Sequence, residues 1–196
     1  MRIVGGTHRG RPIVAPKGHS ARPTADRVRQ AMFDVLEHAP WSSGVAGRRV
    51  VDLFAGSGAL GLEALSRGAA FCLFVDHDRA AREAIAANLA NLGLEDRGRV
   101  LAADATRGAS SDVVDDLVFL DPPYGGDLAE RTLRLLSTNA LARGALLVIE
   151  RQAAAPEIAP TIEWHAIDTR FWGAARVDFL TRRDAPVSER RRPPDV

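Results

Sequence analysis

Val50-Val51-Asp52-Leu53-Phe54-Ala55-Gly56-Ser57-Gly58-Ala59-Leu60-Gly61 decides how this chain is read. Val50 to Phe54 predicts a short buried strand, and the stretch through Leu65 predicts a helix. The glycines therefore fall in the turn between the two. Glycine tolerates positive φ and lets a ligand come close to the backbone. In a doubly wound sheet that turn sits at the carboxyl end of a strand, where ligands bind.

Toward the C-terminus the alternation repeats. Phe71 to Val75 predicts a second strand and Arg79 to Leu92 an alanine-rich helix stopped by Gly93. Val100 to Ala102, Leu117 to Leu120 and Ala145 to Ile149 predict three more strands, with a helix from about Leu128 to Leu136 before the last. Apolar runs alternating with helices imply a parallel sheet covered on both faces. The run through Ile162, Trp164, Ala166 and Ile167 turns at Arg170-Phe171-Trp172-Gly173 into Arg176 to Leu180, with no helix between them. These two should pair antiparallel at the sheet edge. Five parallel strands and a terminal hairpin make the α/β plan of a class I methyltransferase fold, Rossmann-like in its winding.

Toward the N-terminus the character differs. Ile3-Val4 and Ile13-Val14 flank Gly6-Thr7-His8-Arg9-Gly10, predicting a hairpin with a basic tip that carries His8. A helix follows, with Thr24 as its N-cap and its end near Pro40. Up to Arg29 there are seven basic residues against one acid, so this arm carries +6 of a chain whose total is +1. Such asymmetry suits a polyanion-facing arm, and Arg9, Arg11, Lys17, Arg22 and Arg29 are expected at phosphates. Residues 1–40 are thus expected to form an RNA-facing hairpin-and-helix extension, 41–183 the catalytic domain, and 184–196 a disordered tail.

Composition narrows the classes further. The single cysteine, Cys72, lies in an apolar run and is expected to be a buried thiol, excluding an internal disulfide. The five histidines are scattered without ligand spacing, so no metal is expected. No stretch reaches the ~20 apolar residues of a membrane span, and a cytoplasmic monomer is expected.

Gly56-x-Gly58-x-x-Gly61 alone fits a dinucleotide as well as S-adenosylmethionine. Asp52, four residues before Gly56, favours the second, because a carboxylate suits the ammonium of its methionine end and would repel a pyrophosphate. Phe54, Ala55, Gly56, Ser57, Gly58 and Gly61 are expected to line this cofactor. Asp76 ends the second strand, where an acid accepts from both ribose hydroxyls. Asp78 suits a helix cap, although the two assignments can be exchanged. Asp104, with Ala105, follows the third strand, placed to accept from the adenine amino group.

Phe119-Leu120-Asp121-Pro122-Pro123-Tyr124 supplies the reacting site. An exocyclic amine on a base is a poor nucleophile because its lone pair is delocalised into the ring. The Asp121 carboxylate and the Pro122 carbonyl can accept both of its N–H groups and turn the lone pair toward a sulfonium methyl. The prolines remove competing donors and fix the carbonyl. Tyr124, the only tyrosine, can stack on the base at roughly 1–3 kcal/mol.

Asp-Pro-Pro-Tyr resembles the motif of amino-group methyltransferases. Met1 to Gly6 with Arg9-Gly10-Arg11, Arg22 to Arg29, and Asp52 through Leu65-Ser66-Arg67-Gly68 resemble the bacterial 16S rRNA guanine-N2 methyltransferase family called RsmD. The resemblance covers nearly all of the chain before Arg183. It implies methylation of one guanine N2 in 16S rRNA, on a small subunit already assembled with ribosomal proteins. It also implies that Asp52 and Gly56 to Gly61 line the cofactor, Asp76 binds ribose, and Asp121 with Tyr124 holds the guanine. One departure is Asp76, where the family pattern has glutamate. Three rivals carry less of the sequence. An adenine-N6 DNA methyltransferase would need a recognition domain for which there is no room. An NAD-dependent oxidoreductase leaves Asp121 to Tyr124 without a task. A non-catalytic assembly factor needs no intact cofactor pocket.

Overall fold

A computed structural model describes residues 1–16, 23–107, 116–123, 127–136, 141, 144–158 and 164–182. Helix α1 (Pro23–His38) precedes strand β1 (Arg49–Leu53), helix α2 (Ala59–Ser66), β2 (Phe71–Asp76), α3 (Arg79–Leu92) and β3 (Gly98–Ala102). Then come β4 (Leu117–Leu120), α4 (Leu128–Leu136), β5 (Leu146–Gln152), β6 (Trp164–Trp172) and β7 (Ala175–Arg182). Proline at the first position of α1 lacks the N–H that a helix start leaves unbonded anyway. The helix therefore opens one residue before Thr24, inside which the expected cap falls. At the other end of the series, Gly93 closes α3 at φ 66, a conformation glycine adopts without strain.

The strands form one seven-stranded sheet in the order β3-β2-β1-β4-β5-β7-β6. The first five are parallel, and β7 and β6 are antiparallel. Each face is buried by its own apolar cluster, as expected for strands that read as continuous apolar runs. On one face α1 stacks Phe33 on Phe119 of β4, with ring centroids 5.4 Å apart. On the other, Ala129, Leu133 and Leu136 of α4 cover Leu120 and Ile149. Cys72 is buried, within the first cluster. In β6 a register shift between Ala166 and Asp168 absorbs the extra residue that spoils the alternation there. No helix among the described residues is long and apolar enough to cross a membrane.

The N-terminal segment is seated, not free. Its hairpin consists of one antiparallel bridge, Arg2 to Pro12, with Ile3 and Ile13 buried in the same cluster as α1, α2 and α3. Ser66 at the end of α2 anchors it: its Oγ donates to the Gly5 carbonyl (2.6 Å) and accepts from His8 N (3.0 Å). A Cβ at Gly6 would stand 2.0 Å from the Ser66 carbonyl, and Gly6 has φ +73, so only glycine fits. His8 donates Nε2 to the Leu92 carbonyl at the end of α3 (3.1 Å), which turns the expected basic tip down onto the protein.

Candidate active site

The strand order reverses between β1 and β4, and a crevice opens at their carboxyl ends, as it does in other doubly wound sheets. Leu53 pairs with Leu120. One residue further on, Phe54 and Asp121 leave the two strand tips side by side. The glycine turn and the Asp-Pro-Pro segment thus flank a single opening.

The turn is held by carboxylates on its protein side. Asp76 at the tip of β2 accepts from Gly56 N through Oδ2 and from Asp78 N through Oδ1, both at 2.8 Å. Asp52 is 1% exposed and accepts from Gly61 N at 2.9 Å. Burial raises its carboxyl to about 8, against the pull of the Gly61 N–H and with help from the Asp76 charge. Ser57 turns its carbonyl to Asn88 Nδ2 (3.0 Å), and Asn88 also accepts from Val14 N (2.8 Å) and donates to Val14 O (2.9 Å). This one amide ties the N-terminal segment to the turn.

Phe54, with φ 58, is the one positive-φ residue among the described residues that is not glycine. Such strain persists where surrounding contacts over-determine it, and it concentrates at functional sites. Here it ends β1 one residue earlier than its apolar run suggests. Gly56 and Gly58 follow at φ 57 and 78. A Cβ on Gly56 would meet nothing nearer than the Phe54 carbonyl at 3.9 Å and would project into open space, as a cradle for a close-fitting ligand requires.

Gly61 differs from the other two. A Cβ there would come within 2.3 Å of Phe74 and 2.5 Å of Cys72 Sγ. It faces β2 and permits close packing of helix on strand, so it does not line the crevice as expected. Asp78 caps α3, accepting from Ala80 N at 3.0 Å, which leaves Asp76 beside the glycines. Asp104 accepts from both N and Oγ1 of Thr106 (2.9 and 2.6 Å), and these bonds hold its carboxyl below the ordinary value. Ala105 beside it is buried.

Across the opening a second carboxyl is raised, as that of Asp52 is. Burial first, then the charges of Glu150 and Asp52, raise the Asp121 carboxyl well above its usual range. Asp121 is itself exposed to solvent, so water tempers the effect of burial. Pro122 is buried and Pro123 exposed; Tyr124 lies outside the described residues. Beside the two prolines is a cavity of about 320 Å³ between the start of α4 and the end of β5, with Glu150, Arg151 and Gln152 in its wall. The sequence reading missed these three. β5 runs beyond Ile149 because Arg151 and Gln152 pair with Arg176 and Ala175 of β7.

Of the arginines expected at phosphates, Arg9 and Arg11 are exposed, and Arg11 donates to the Asn91 carbonyl at 2.7 Å. Lys17 and Arg22 lie outside the described residues. Arg29 is a correction: only 3% exposed, it pairs with Asp26 at 2.8 Å and Glu63 at 3.5 Å and donates to the Arg2 carbonyl. A guanidinium so enclosed cannot reach a phosphate.

Comparison with known proteins places this geometry in context. Residues 1–181 match the family model described as Conserved hypothetical protein 95. Ribosomal RNA small subunit methyltransferase D of Escherichia coli (strain K12) is 41% identical over 154 residues, covering 78% of this chain and 75% of that protein. The Haemophilus influenzae protein of the same name is 34% identical over 165 residues, covering 82% and 83%. Among solved structures, Escherichia coli yhhF superposes with a TM-score of 0.80 at 35% identity, covering 94% of this chain and 98% of that one.

Proposed function

The chain belongs to the RsmD family of rRNA methyltransferases and has the class I methyltransferase fold, and from that premise we propose that it methylates the exocyclic N2 of a guanine in 16S rRNA, using S-adenosylmethionine. The observation that carries the reading is the adjacency of Asp121 and the Gly56 turn across one opening. The donor set fits the cofactor. Asp76 holds the turn at its ribose end, Asp52 lies beneath it, and the open side of Gly56 leaves room for a close-fitting ligand. When bound, S-adenosylmethionine supplies an electrophilic methyl group on sulfur.

The chain's own residues do the positioning. Asp121 and the Pro122 carbonyl accept the two N–H groups of the guanine amine, which aims its lone pair across the opening. Holding a reactant in that orientation is where such an enzyme gains most of its rate. No base need act first: the nitrogen becomes acidic once it carries the methyl, and its proton then passes to Asp121 or water. A carboxyl raised above its usual range is suited to receive it. Arg9 and Arg11 lie exposed for phosphate contact. The substrate is the assembled small subunit, and the protein acts as a cytoplasmic monomer.

The test is product identity. Small subunits from a strain lacking the activity are incubated with the protein and tritiated S-adenosylmethionine, and the RNA is digested to nucleosides. Label in N2-methylguanosine is expected. Label in N6-methyladenosine would overturn the assignment.

A further inference from the structure

We propose that the cavity beside Pro122 and Pro123 seats the target purine and that Glu150 in its wall accepts the N1–H of guanine, which makes Glu150 a specificity-determining residue. The inference rests on the guanine-N2 reading above and adds a residue that the reading did not contain.

Position comes first. β4 and β5 are parallel neighbours whose register ends at Leu120 beside Ile149, and the next residues are Asp121 and Glu150. Their proximity shows in the Asp121 carboxyl, which the Glu150 charge helps to raise. Glu150 also lines the cavity, and Pro122 is shared by the cavity and the reacting segment. The cavity therefore begins one residue past Asp121, on the β5 side of the reacting segment. A base there would present its edge to Asp121 and Glu150 together.

Size and lining agree. About 320 Å³ is at the lower end of the roughly 300–1,000 Å³ of small-molecule sites, enough for one base. Pro122, Leu128, Ala129 and Pro156 offer apolar contact, while Glu130, Glu150, Arg151 and Gln152 offer polar contact. The wall is fixed. Arg151 donates to Asp178 and to the Pro156 carbonyl, each at 2.7 Å, clamping the end of β5 to β7 and to the following loop. A site held by such bonds is in place before its ligand arrives.

The chemistry selects guanine. Its N1–H and N2 amine are adjacent donors on one edge, and two neighbouring carboxylates accept both. Adenine and 2-aminopurine carry a lone pair at N1, which a carboxylate repels. A well-placed contact to a base edge discriminates by roughly ten- to a hundred-fold.

The test compares two RNAs reconstituted into small subunits. One carries the guanine that the protein methylates and the other 2-aminopurine at that position, which keeps the N2 amine and lacks the N1–H. The wild-type protein should favour guanine by about ten- to a hundred-fold in kcat/KM. Glu150→Gln, whose amide can either donate or accept, should bring that ratio close to one, and Glu150→Asp should keep it. Unchanged affinity of both variants for S-adenosylhomocysteine would show the fold intact. Equal methylation of the two RNAs by the wild type, or a ratio unmoved by Glu150→Gln, overturns the assignment of Glu150 while N2-methylguanosine remains the product. Label in adenine instead overturns the guanine-N2 reading, and this inference with it.

Discussion

On the β1–β2 side of the crevice, Asp52, Asp76 and Asp104 direct their oxygens at backbone N–H groups, and each such bond shapes a turn. On the β4–β5 side, Asp121 is raised by burial and by the charges of Glu150 and Asp52. These bonds shape the cradle before any ligand enters, although burial raises Asp52 as it does Asp121. Donors brought to Asp121 by a ligand would favour its charged form. A cradle set by backbone bonds facing a carboxyl that a ligand's donors can relieve suits a reaction in which one partner must be gripped and the other turned.

The largest effect is expected from Asp121→Ala. Turnover in a radiolabelled methyl-transfer assay should fall by about 10²-fold or more, with cofactor affinity measured by calorimetry little changed. Wild-type turnover in that variant would remove the substrate half altogether. Next in size, Asp76→Ala strips acceptors from Gly56 N and Asp78 N. Calorimetry should show cofactor affinity reduced by about tenfold, and denaturant titration a loss of about 1–3 kcal/mol for each N–H left unsatisfied.

Asp52→Asn shows its effect through pH. The folded value of about 8 lies above the ordinary 3.8, so this group's stabilising contribution is complete below about pH 4 and is lost as the pH rises toward 8. Asparagine does not titrate. The melting temperature of the variant should therefore gain on that of the wild type between about pH 4 and pH 8 and hold its advantage above that. A difference that stays constant across this range would mean that Asp52 titrates as an ordinary acid. The smallest effect expected is that of Arg9→Ala, a few-fold loss of RNA affinity. It should lower the slope of log affinity against log salt by about one, with the melting temperature unchanged.

Much of the fold was legible because its punctuation is local. α3 begins and ends at Arg79 and Leu92, and β4 at Leu117 and Leu120, where the apolar period and Gly93 put them. The glycine turn and Asp121 were legible for the same reason: each follows an apolar strand whose carboxyl end defines the crevice. Contacts between distant segments were not. Charge counting puts Arg29 in the basic arm, but the structure buries it against Glu63, which sits 34 residues further along. Gly61 fits a ligand-binding pattern by spacing, whereas the ring of Phe74 requires it for packing. Glu150-Arg151-Gln152 has no apolar period, because pairing to β7 extends β5 there and the neighbouring cavity makes polar side chains useful.

Asn88 has a consequence for anyone exchanging parts between relatives. A single carboxamide acts as an adaptor, presenting one acceptor and two donors to main-chain groups of Val14 and Ser57. A chimera that imports a foreign N-terminus without residue 88 of the same origin would mismatch that plug at its socket, and the error would surface in the glycine loop, far along the chain from the splice.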